Sequence, residues 1–218
     1  LETLYFNGNT ISSINLTNNT KLKTLYCYNN NLTSIDLSNN ELLEKLYIHD
    51  NELTTIDLIN NINLTRLKCN DNSLTALNVN SNNNLILLSC NDNKIPSIDI
   101  SNNTSLTALE IHNNDLSTLD VTNNTLLTDL SCYGNTLTTL DVTQNTALID
   151  LKCYSNHLTT LDVTNNVNLE ELYCFNNDLT SLDISKNVTL EKLQCNANNL
   201  TEIDISNNTL LKWLYIQG

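Results

Sequence analysis

Hydrophobic positions recur along the chain with a period of 21 residues, and no insertion or deletion interrupts the pattern. Ten copies of the template L-x-x-L-x-C-x-x-N-x-L-T-x-L-D-V-x-N-N-x-x occupy residues 1–210, and a partial eleventh copy follows. We number the template positions as places one to twenty-one and call each copy a coil. Leucine fills places one and four in all eleven copies. Such periodicity predicts a solenoid, in which stacked repeats build one continuous core.

Two stretches of each coil alternate apolar and polar residues, which is typical of strands. Leu and Cys at places four and six turn inward in the first stretch, whereas β-branched Thr, Val and Ile crowd the second. No stretch has the apolar spacing of an amphipathic helix. We therefore predict a mostly β structure with two short parallel strands per coil and little or no helix. About ten coils, each about 4.8 Å deep, would form a weakly curved rod.

Asparagine dominates two further columns of the repeat, at places nine and nineteen. Asparagine tolerates turn conformations, and its amide can satisfy backbone groups that a turn would otherwise bury unpaired. We therefore expect both columns to lie where the chain turns. The members of the first column are Asn9, Asn30, Asn51, Asn72, Asn93, Asn114, Asn135, Asn156, Asn177 and Asn198. Those of the second are Asn19, Asn40, Asn61, Asn82, Asn103, Asn124, Asn145, Asn166, Asn187 and Asn208.

The segment from Leu127 to Asn135, L-T-D-L-S-C-Y-G-N, resembles the strand signature of leucine-rich repeats. The following segment, from Leu137 to Asn145, matches the same signature again. Each coil is therefore similar to two nested half-repeats of ten and eleven residues, a class found in bacterial surface proteins. The resemblance covers the whole chain and implies a leucine-rich repeat solenoid. It does not specify a ligand, because this family uses one scaffold for many partners.

All seven cysteines occupy place six, where the other copies carry Phe6, Ile48, Ile111 and Ile216. Replacement by apolar residues indicates a core site, so we predict buried free thiols in preference to disulfides or a ladder of soft-metal ligands. The cysteines are Cys27, Cys69, Cys90, Cys132, Cys153, Cys174 and Cys195. Thiols of this kind do not reveal the redox compartment.

The net charge of −14 argues against binding to nucleic acid or to anionic membranes, since both require clustered Lys and Arg. No apolar run is long enough for membrane insertion, and the N-terminus shows no signal-peptide pattern. Residues 1–218 form a single solenoid in this interpretation. Neither end has a polar capping repeat, so we expect the chain to be a fragment that continues covalently into further repeats or domains.

Aromatic residues concentrate on the first stretch of each coil, at places three, five and seven. Exposed tyrosines provide rigid contact area with a hydrogen-bonding tip, as protein and glycan ligands require. Aromatics also suit strands and stack for stability, so a purely structural role is the competing interpretation. Candidate ligand-binding residues are Tyr26, Tyr28, Tyr47, His49, Tyr133, Tyr154, Tyr173, Phe175, Trp213 and Tyr215. Between the two main clusters the same face carries Arg66, Lys68, Asp71, Asp92, Glu110 and His112.

An aspartate column at place fifteen marks the second stretch. Like charges about 4.8 Å apart should repel and raise one another's pKa values, so the column needs an explanation. Three are open: divalent cation binding, hydrogen bonds to neighbouring Thr hydroxyls or turn amides, and solubility along an exposed sheet. We favour the structural and solubilising explanations over a calcium site. The residues that a metal would use are Asp99, Asp120, Asp141, Asp162, Asp183 and Asp204.

Catalytic constellations are missing from the sequence. The histidines His49, His112 and His157 lie on different coils, the cysteines point inward, and no nucleotide or zinc-hydrolase motif is present. We therefore predict a non-enzymatic recognition or adhesion module without cofactor, located at the cell surface or outside the cell. Its ligand would be a protein or glycan on the tyrosine-bearing face. The alternative is a structural spacer or stalk of a cell-surface protein, with no ligand of its own.

Overall fold

The computed structural model describes residues 1–217. It is a single continuous stack of coils joined by one parallel β-sheet. Each coil contributes one three-residue strand at places three to five, and each strand pairs in register with the strands one coil before and after it. The strands are β1 (Thr3–Tyr5), β2 (Thr24–Tyr26), β3 (Lys45–Tyr47), β4 (Arg66–Lys68), β5 (Leu87–Ser89), β6 (Ala108–Glu110), β7 (Asp129–Ser131), β8 (Asp150–Lys152), β9 (Glu171–Tyr173), β10 (Lys192–Gln194) and β11 (Trp213–Tyr215). The solenoid, its 21-residue coils and the lack of helix in residues 1–217 agree with the sequence prediction.

The prediction of a second strand in each coil is wrong for the described residues, where places eleven to sixteen form no strand. Typically only one backbone bond links successive coils on this side, from the amide of place ten to the carbonyl of place eleven in the preceding coil. His157 N–H, for example, donates to the Leu137 carbonyl at 2.8 Å. The β-branched residues there reflect a half-buried surface, which raises strand propensity without requiring a ladder.

The core is a set of leucine columns that run through the stack, together with the column of cysteines. Leu130 and Leu151 are 2% and 0% exposed, and all seven cysteines are buried free thiols, as predicted. Burial raises the pKa of the Cys69 and Cys132 thiols to about 12. Because a thiolate in this column would have no solvation, the sulfur serves as a small apolar group.

The asparagines at place nine close the turn after each strand, as predicted. Asn135 Nδ2 donates to the carbonyls of Cys132 at 3.0 Å and of Ile111 in the preceding coil at 3.2 Å. Its Oδ1 accepts the Leu116 amide at 3.0 Å. One side chain therefore satisfies backbone groups of two coils, which explains why the column is uninterrupted.

The asparagines at place nineteen work differently, because their Nδ2 groups alone make hydrogen bonds. Asn124 Nδ2 donates to the Asn103 carbonyl at 2.9 Å and to the Ile100 carbonyl at 3.1 Å, both in the preceding coil. Its Oδ1 is enclosed and accepts no hydrogen bond within the described residues, and the same holds for the other members from Asn40 to Asn208. The residues of this column therefore stabilise the fold through their Nδ2 donors.

A left-handed backbone conformation at place eight was missed by the sequence reasoning, although it recurs in all ten full coils. Asn29, Asp71 and Gly134 have φ values of 55°, 51° and 62°. Asn, Asp and Gly tolerate this region best, which explains their abundance at place eight. Ala197 departs from that preference with φ 52°.

No helix in the described chain is long and apolar enough to cross a membrane.

Replacing Ala197 by Gly is expected to stabilise the protein by about 1 kcal/mol, because glycine has no Cβ to clash in the left-handed region. Chemical denaturation of the two proteins measures the difference. Ala147→Gly is the matched control: Ala147 is not among the residues with positive φ, so there the same change should destabilise by about 0.5–1 kcal/mol. Destabilisation by both substitutions would contradict the argument.

Candidate functional site

The outward side chains of places three, five and seven form one continuous surface, which we call the strand face. Its aromatic residues stack along the solenoid axis in columns. At place five, Tyr5, Tyr26 and Tyr47 have successive ring centroids 4.5 Å apart. At place seven, the Tyr28 and His49 rings lie 4.4 Å apart and nearly parallel. The register of the strands brings each ring directly above its neighbour.

The longest stack lies at place seven of coils six to nine. Its members are His112, Tyr133, Tyr154 and Phe175, with centroids 4.1, 4.2 and 4.3 Å apart and interplanar angles of 15°, 9° and 10°. Tyr133, Tyr154 and Phe175 belong to one cluster in the sequence prediction, whereas His112 lies outside that cluster. Its shared place with Tyr133 was the signal that could have included it.

The remaining predicted residues, Tyr173, Trp213 and Tyr215, lie outside these columns, toward the C-terminal end of the strand face. Tyr173 lies at place five beside Lys152, whose Nζ is 5.8 Å from the ring centroid. Trp213 contacts both Tyr173 and Tyr215, at 6.1 and 6.3 Å between centroids. This last group lies at the final coil, where Trp213 is 42% exposed and Tyr215 is 40% exposed. The ten predicted residues therefore belong to several neighbouring groups and do not form a single pocket.

Stacking determines what the rings can offer a ligand. Inside a column, each ring has both faces covered by neighbouring rings about 4 Å away, so the edges and polar tips are the parts left for contact. Burial raises the pKa of Tyr47 and of Tyr154, and the neighbouring tyrosine adds to the effect. Their hydroxyls therefore stay protonated and keep both donor and acceptor capacity at neutral pH.

His112 is held in the neutral form. Burial is the main cause that lowers its pKa, although Asp92 opposes the shift from 3.7 Å. The Ser131 hydroxyl lies 3.3 Å from Nδ1. A neutral imidazole stacks on Tyr133 without bringing a charge onto the column.

A cleft of about 360 Å³ borders this stack on β6, β7 and β8. Its walls include His112, Tyr133 and Tyr154 on one side and Asp129 and Asp150 on the other. Asp150 forms an ion pair with Lys152, and burial raises the pKa of its carboxyl. The cleft is open and shallow, and its lining combines ring edges with charged groups, as at protein-contacting surfaces.

The aspartates of place fifteen lie on the other side of the coil, where their carboxylates accept hydrogen bonds from the turn that follows. Asp162 Oδ1 accepts the Thr164 hydroxyl at 2.6 Å and the Thr164 amide at 2.9 Å. These bonds hold the pKa of Asp162 below its usual range, and the opposing effect of Asp141 and Asp183 is smaller. The expectation of raised pKa values is therefore wrong for Asp99, Asp120, Asp141, Asp162, Asp183 and Asp204, because hydrogen bonds outweigh repulsion between exposed charges.

The turn does not need the negative charge. Asn15 replaces Asp at place fifteen of the first coil and accepts the Thr17 hydroxyl and amide at 2.7 and 3.0 Å. Within residues 1–217, no group of three or more His, Cys, Asp or Glu side chains is arranged to hold a metal ion. The hydrogen-bonding explanation, which the sequence left open, therefore accounts for this column.

This fold and this arrangement of columns define a leucine-rich repeat protein, and the chain belongs to the class with 21-residue repeats represented in bacteria. The functional domain of InlJ from Listeria monocytogenes, described as including a cysteine ladder, superposes with a TM-score of 0.90 at 36% identity. The match covers 99% of this chain and 53% of that one. The internalin InlF from the same species superposes with a TM-score of 0.87 at 27% identity, covering 96% of this chain and 65% of the other.

A leucine-rich repeat protein of Leptospira interrogans shares the fold with a TM-score of 0.81 at 24% identity, over 90% of this chain and 55% of the other. The chain thus spans between about half and two thirds of the length of these three structures. No protein-family model and no curated relative matches the sequence.

Proposed function

We propose that the chain is a non-enzymatic recognition module that binds a protein ligand on the strand face. The observation that carries the proposal is the column of His112, Tyr133, Tyr154 and Phe175, whose four parallel rings present their edges over four successive coils. Tyr and other aromatic residues are enriched at protein interfaces, and rigid side chains lose little conformational entropy on binding. The second stretch of the coils carries no aromatic residue at all.

The ring geometry favours a protein over a glycan. A sugar ring that packs on an aromatic side chain uses the ring face, and here the faces inside the columns are covered by their neighbours. Edges and hydroxyl tips suit the mixed apolar and hydrogen-bonding contacts of a protein surface. We further propose that the module acts outside the cell, as the resemblance of its coils to the repeats of bacterial surface proteins implies. The InlJ domain and the internalin InlF of Listeria monocytogenes share its architecture over 99% and 96% of this chain.

Removing the ring column tests the proposal. A variant with Tyr133→Ser, Tyr154→Ser and Phe175→Ser is screened beside the wild type against arrays of extracellular proteins and of glycans. We expect the wild type to capture a protein, and the variant to bind it at least about 30-fold more weakly, as for the loss of a binding hot spot.

The control variant carries Thr139→Ala, Thr160→Ala and Ser181→Ala, three exposed positions on the second stretch of the same coils. It should bind as the wild type does, and circular dichroism should show both variants folded. Binding that survives loss of the rings would place the site elsewhere. If none of the three proteins captures a ligand, the result would favour the structural spacer. The near-invariant repetition of the core columns is also what a spacer requires.

A further inference from the structure

The charges of the strand face are sorted along the solenoid axis. At place three, Lys45 and Arg66 on β3 and β4 are followed by two uncharged residues on β5 and β6, and then by Asp129 and Asp150 on β7 and β8. Lys68 adds a third cation at place five of β4. In a chain with a net charge of −14 and only ten Lys and Arg residues, three cations on two adjacent strands are a marked concentration.

This order does not stabilise the sheet. Lys45 is the direct register partner of Arg66, and Asp129 is that of Asp150, so like charges lie opposite each other on adjacent strands. Such pairs are unfavourable. Elsewhere the chain does the reverse: Lys23 and Lys192 pair with Glu2 and Glu171, one coil earlier, at 3.0 and 2.7 Å.

Four of the five sorted charges also lack an ion-pair partner among residues 1–217. Among residues 1–217, neither Lys45, Arg66 nor Lys68 has a carboxylate oxygen within 4.0 Å, and Asp129 has no cation within that distance. Asp150 pairs with Lys152 through Oδ2, but its enclosed Oδ1 accepts no hydrogen bond. Opposite charges on another molecule would satisfy both ends of the face at once.

We propose that the molecule best matched to this face is a second copy of the chain, packed against it in antiparallel order. A two-fold axis along the strand direction, passing between β5 and β6, reverses the order of the coils and keeps each place opposite itself. Lys45 then faces Asp150 of the second copy, and Arg66 faces Asp129 of the second copy. Each contact occurs twice, because a two-fold interface is self-complementary.

The column at place five agrees with this axis. Lys152 comes opposite Tyr47, and Tyr26 comes opposite Tyr173, so the outer part of the interface is aromatic. Lys68 comes opposite Ser131. Across β2 to β9, no place opposes two like charges in this arrangement.

Neighbouring positions of the axis match the charges less completely. A shift of half a coil toward the C-terminus keeps Arg66 opposite Asp150 of the second copy but sets Lys68 against Lys152 of the second copy. The same shift toward the N-terminus pairs Lys45 with Asp129 and Lys68 with Glu110 of the second copy, but it leaves Arg66 facing Ala108. Of the three positions, only the axis between β5 and β6 pairs all four charges of place three without opposing like charges, which is how charge patterns specify homomeric pairing.

Self-pairing would cover the ring columns that we propose bind a ligand, so the second copy and the ligand would compete. The two ideas rest on different residues, since one depends on the charges of β3, β4, β7 and β8 and the other on the rings of place seven. A variant can therefore fail one test and pass the other. A monomer in solution would leave the ligand screen unaffected.

Sedimentation velocity at physiological ionic strength tests the pairing over concentrations from about 1 μM to about 1 mM, the range in which weak interfaces associate. We expect the wild type to shift from monomer to dimer. A variant with Lys45→Asp and Arg66→Asp should stay monomeric because all facing charges become negative. A variant with Asp129→Arg and Asp150→Lys should stay monomeric because they become positive.

An equimolar mixture of these two variants should associate again, since every facing pair is then of opposite sign. A control with Lys94→Asp and Lys186→Asp makes the same change of net charge at exposed positions outside the strand face and should dimerise as the wild type does. A wild type that is monomeric throughout, or a mixture that associates no more than its components, would overturn the proposal and assign the face to a different molecule.

Discussion

Raising the pH from 8 to 10 is expected to remove at least about 7 kcal/mol from the free energy of unfolding. The cause is the column of buried thiols. In the unfolded chain each thiol ionises around pH 9.0, whereas burial raises the pKa to about 12 for Cys69 and Cys132 and also raises it for Cys90, Cys153 and Cys174. At pH 10 each of these five thiols favours the unfolded state by about 1.4 kcal/mol relative to neutral pH. Burial also raises the pKa of Cys27 to about 12 and that of Cys195 to about 11, so these two thiols add to the loss.

The direction follows from which state binds more protons. A folded state that retains the thiol proton has its full stability below pH 9.0 and loses it progressively as the pH rises toward 12. The free energy of unfolding lost between pH 8 and pH 10 is comparable to the total free energy of unfolding of many domains, which is about 5–15 kcal/mol. Alkaline unfolding should therefore be steep and should begin before most tyrosines and lysines ionise.

Urea denaturation at pH 8, 9 and 10 measures the effect. Replacing the five cysteines by Val is the control, since apolar residues such as Ile48 and Ile111 already occupy place six in other coils. Cys132→Val alone should reduce the loss at pH 10 by about 1.4 kcal/mol, so the single substitution tests the role of the thiols if the fivefold variant folds poorly. An equal loss of stability in wild type and variants would show that the thiols are not responsible.

Asn124→Asp is expected to destabilise the solenoid by at least about 4 kcal/mol. The substitution preserves shape but replaces the Nδ2 donor by an oxygen. Asn124 is 0% exposed, and its Nδ2 serves the Ile100 and Asn103 carbonyls. An oxygen there leaves two buried carbonyls unpaired and sets an acceptor against them.

The adjacent residue provides a matched control. Asn123 is exposed, so Asn123→Asp should change the free energy of unfolding by no more than about 0.5 kcal/mol. Denaturation at pH 7 compares the two variants. At pH 4 the difference in free energy of unfolding between the two variants should be smaller, because a protonated carboxyl at position 124 can donate to one of the carbonyls. Equal stability of the two variants at pH 7 would contradict the role assigned to the donor.

Much of the candidate site followed from the sequence, since Tyr28, Tyr133 and Phe175 share a place in the repeat and a solenoid aligns equal places. Contact geometry could not be predicted from the sequence. His112 belongs to the ring column because its imidazole lies 4.1 Å from the Tyr133 ring, which is a matter of rotamers as well as register. The pKa values of the aspartates were predicted in the wrong direction because their hydrogen bonds to place seventeen outweigh their mutual repulsion.

The sequence by itself determined the solenoid, its coil length, the buried columns of Leu and Cys and the turns at Asn, because a strict period forces chemically equal residues to stack and apolar ones to turn inward. Only the tertiary structure decided which half of the coil forms the ladder, since places eleven to sixteen have strand-like residues but few backbone bonds between coils. It alone decided which charges find partners: Lys192 reaches Glu171, whereas Lys45 and Arg66 reach no carboxylate among the described residues. Distances between side chains depend on how the coils pack, and a repeat pattern does not contain them.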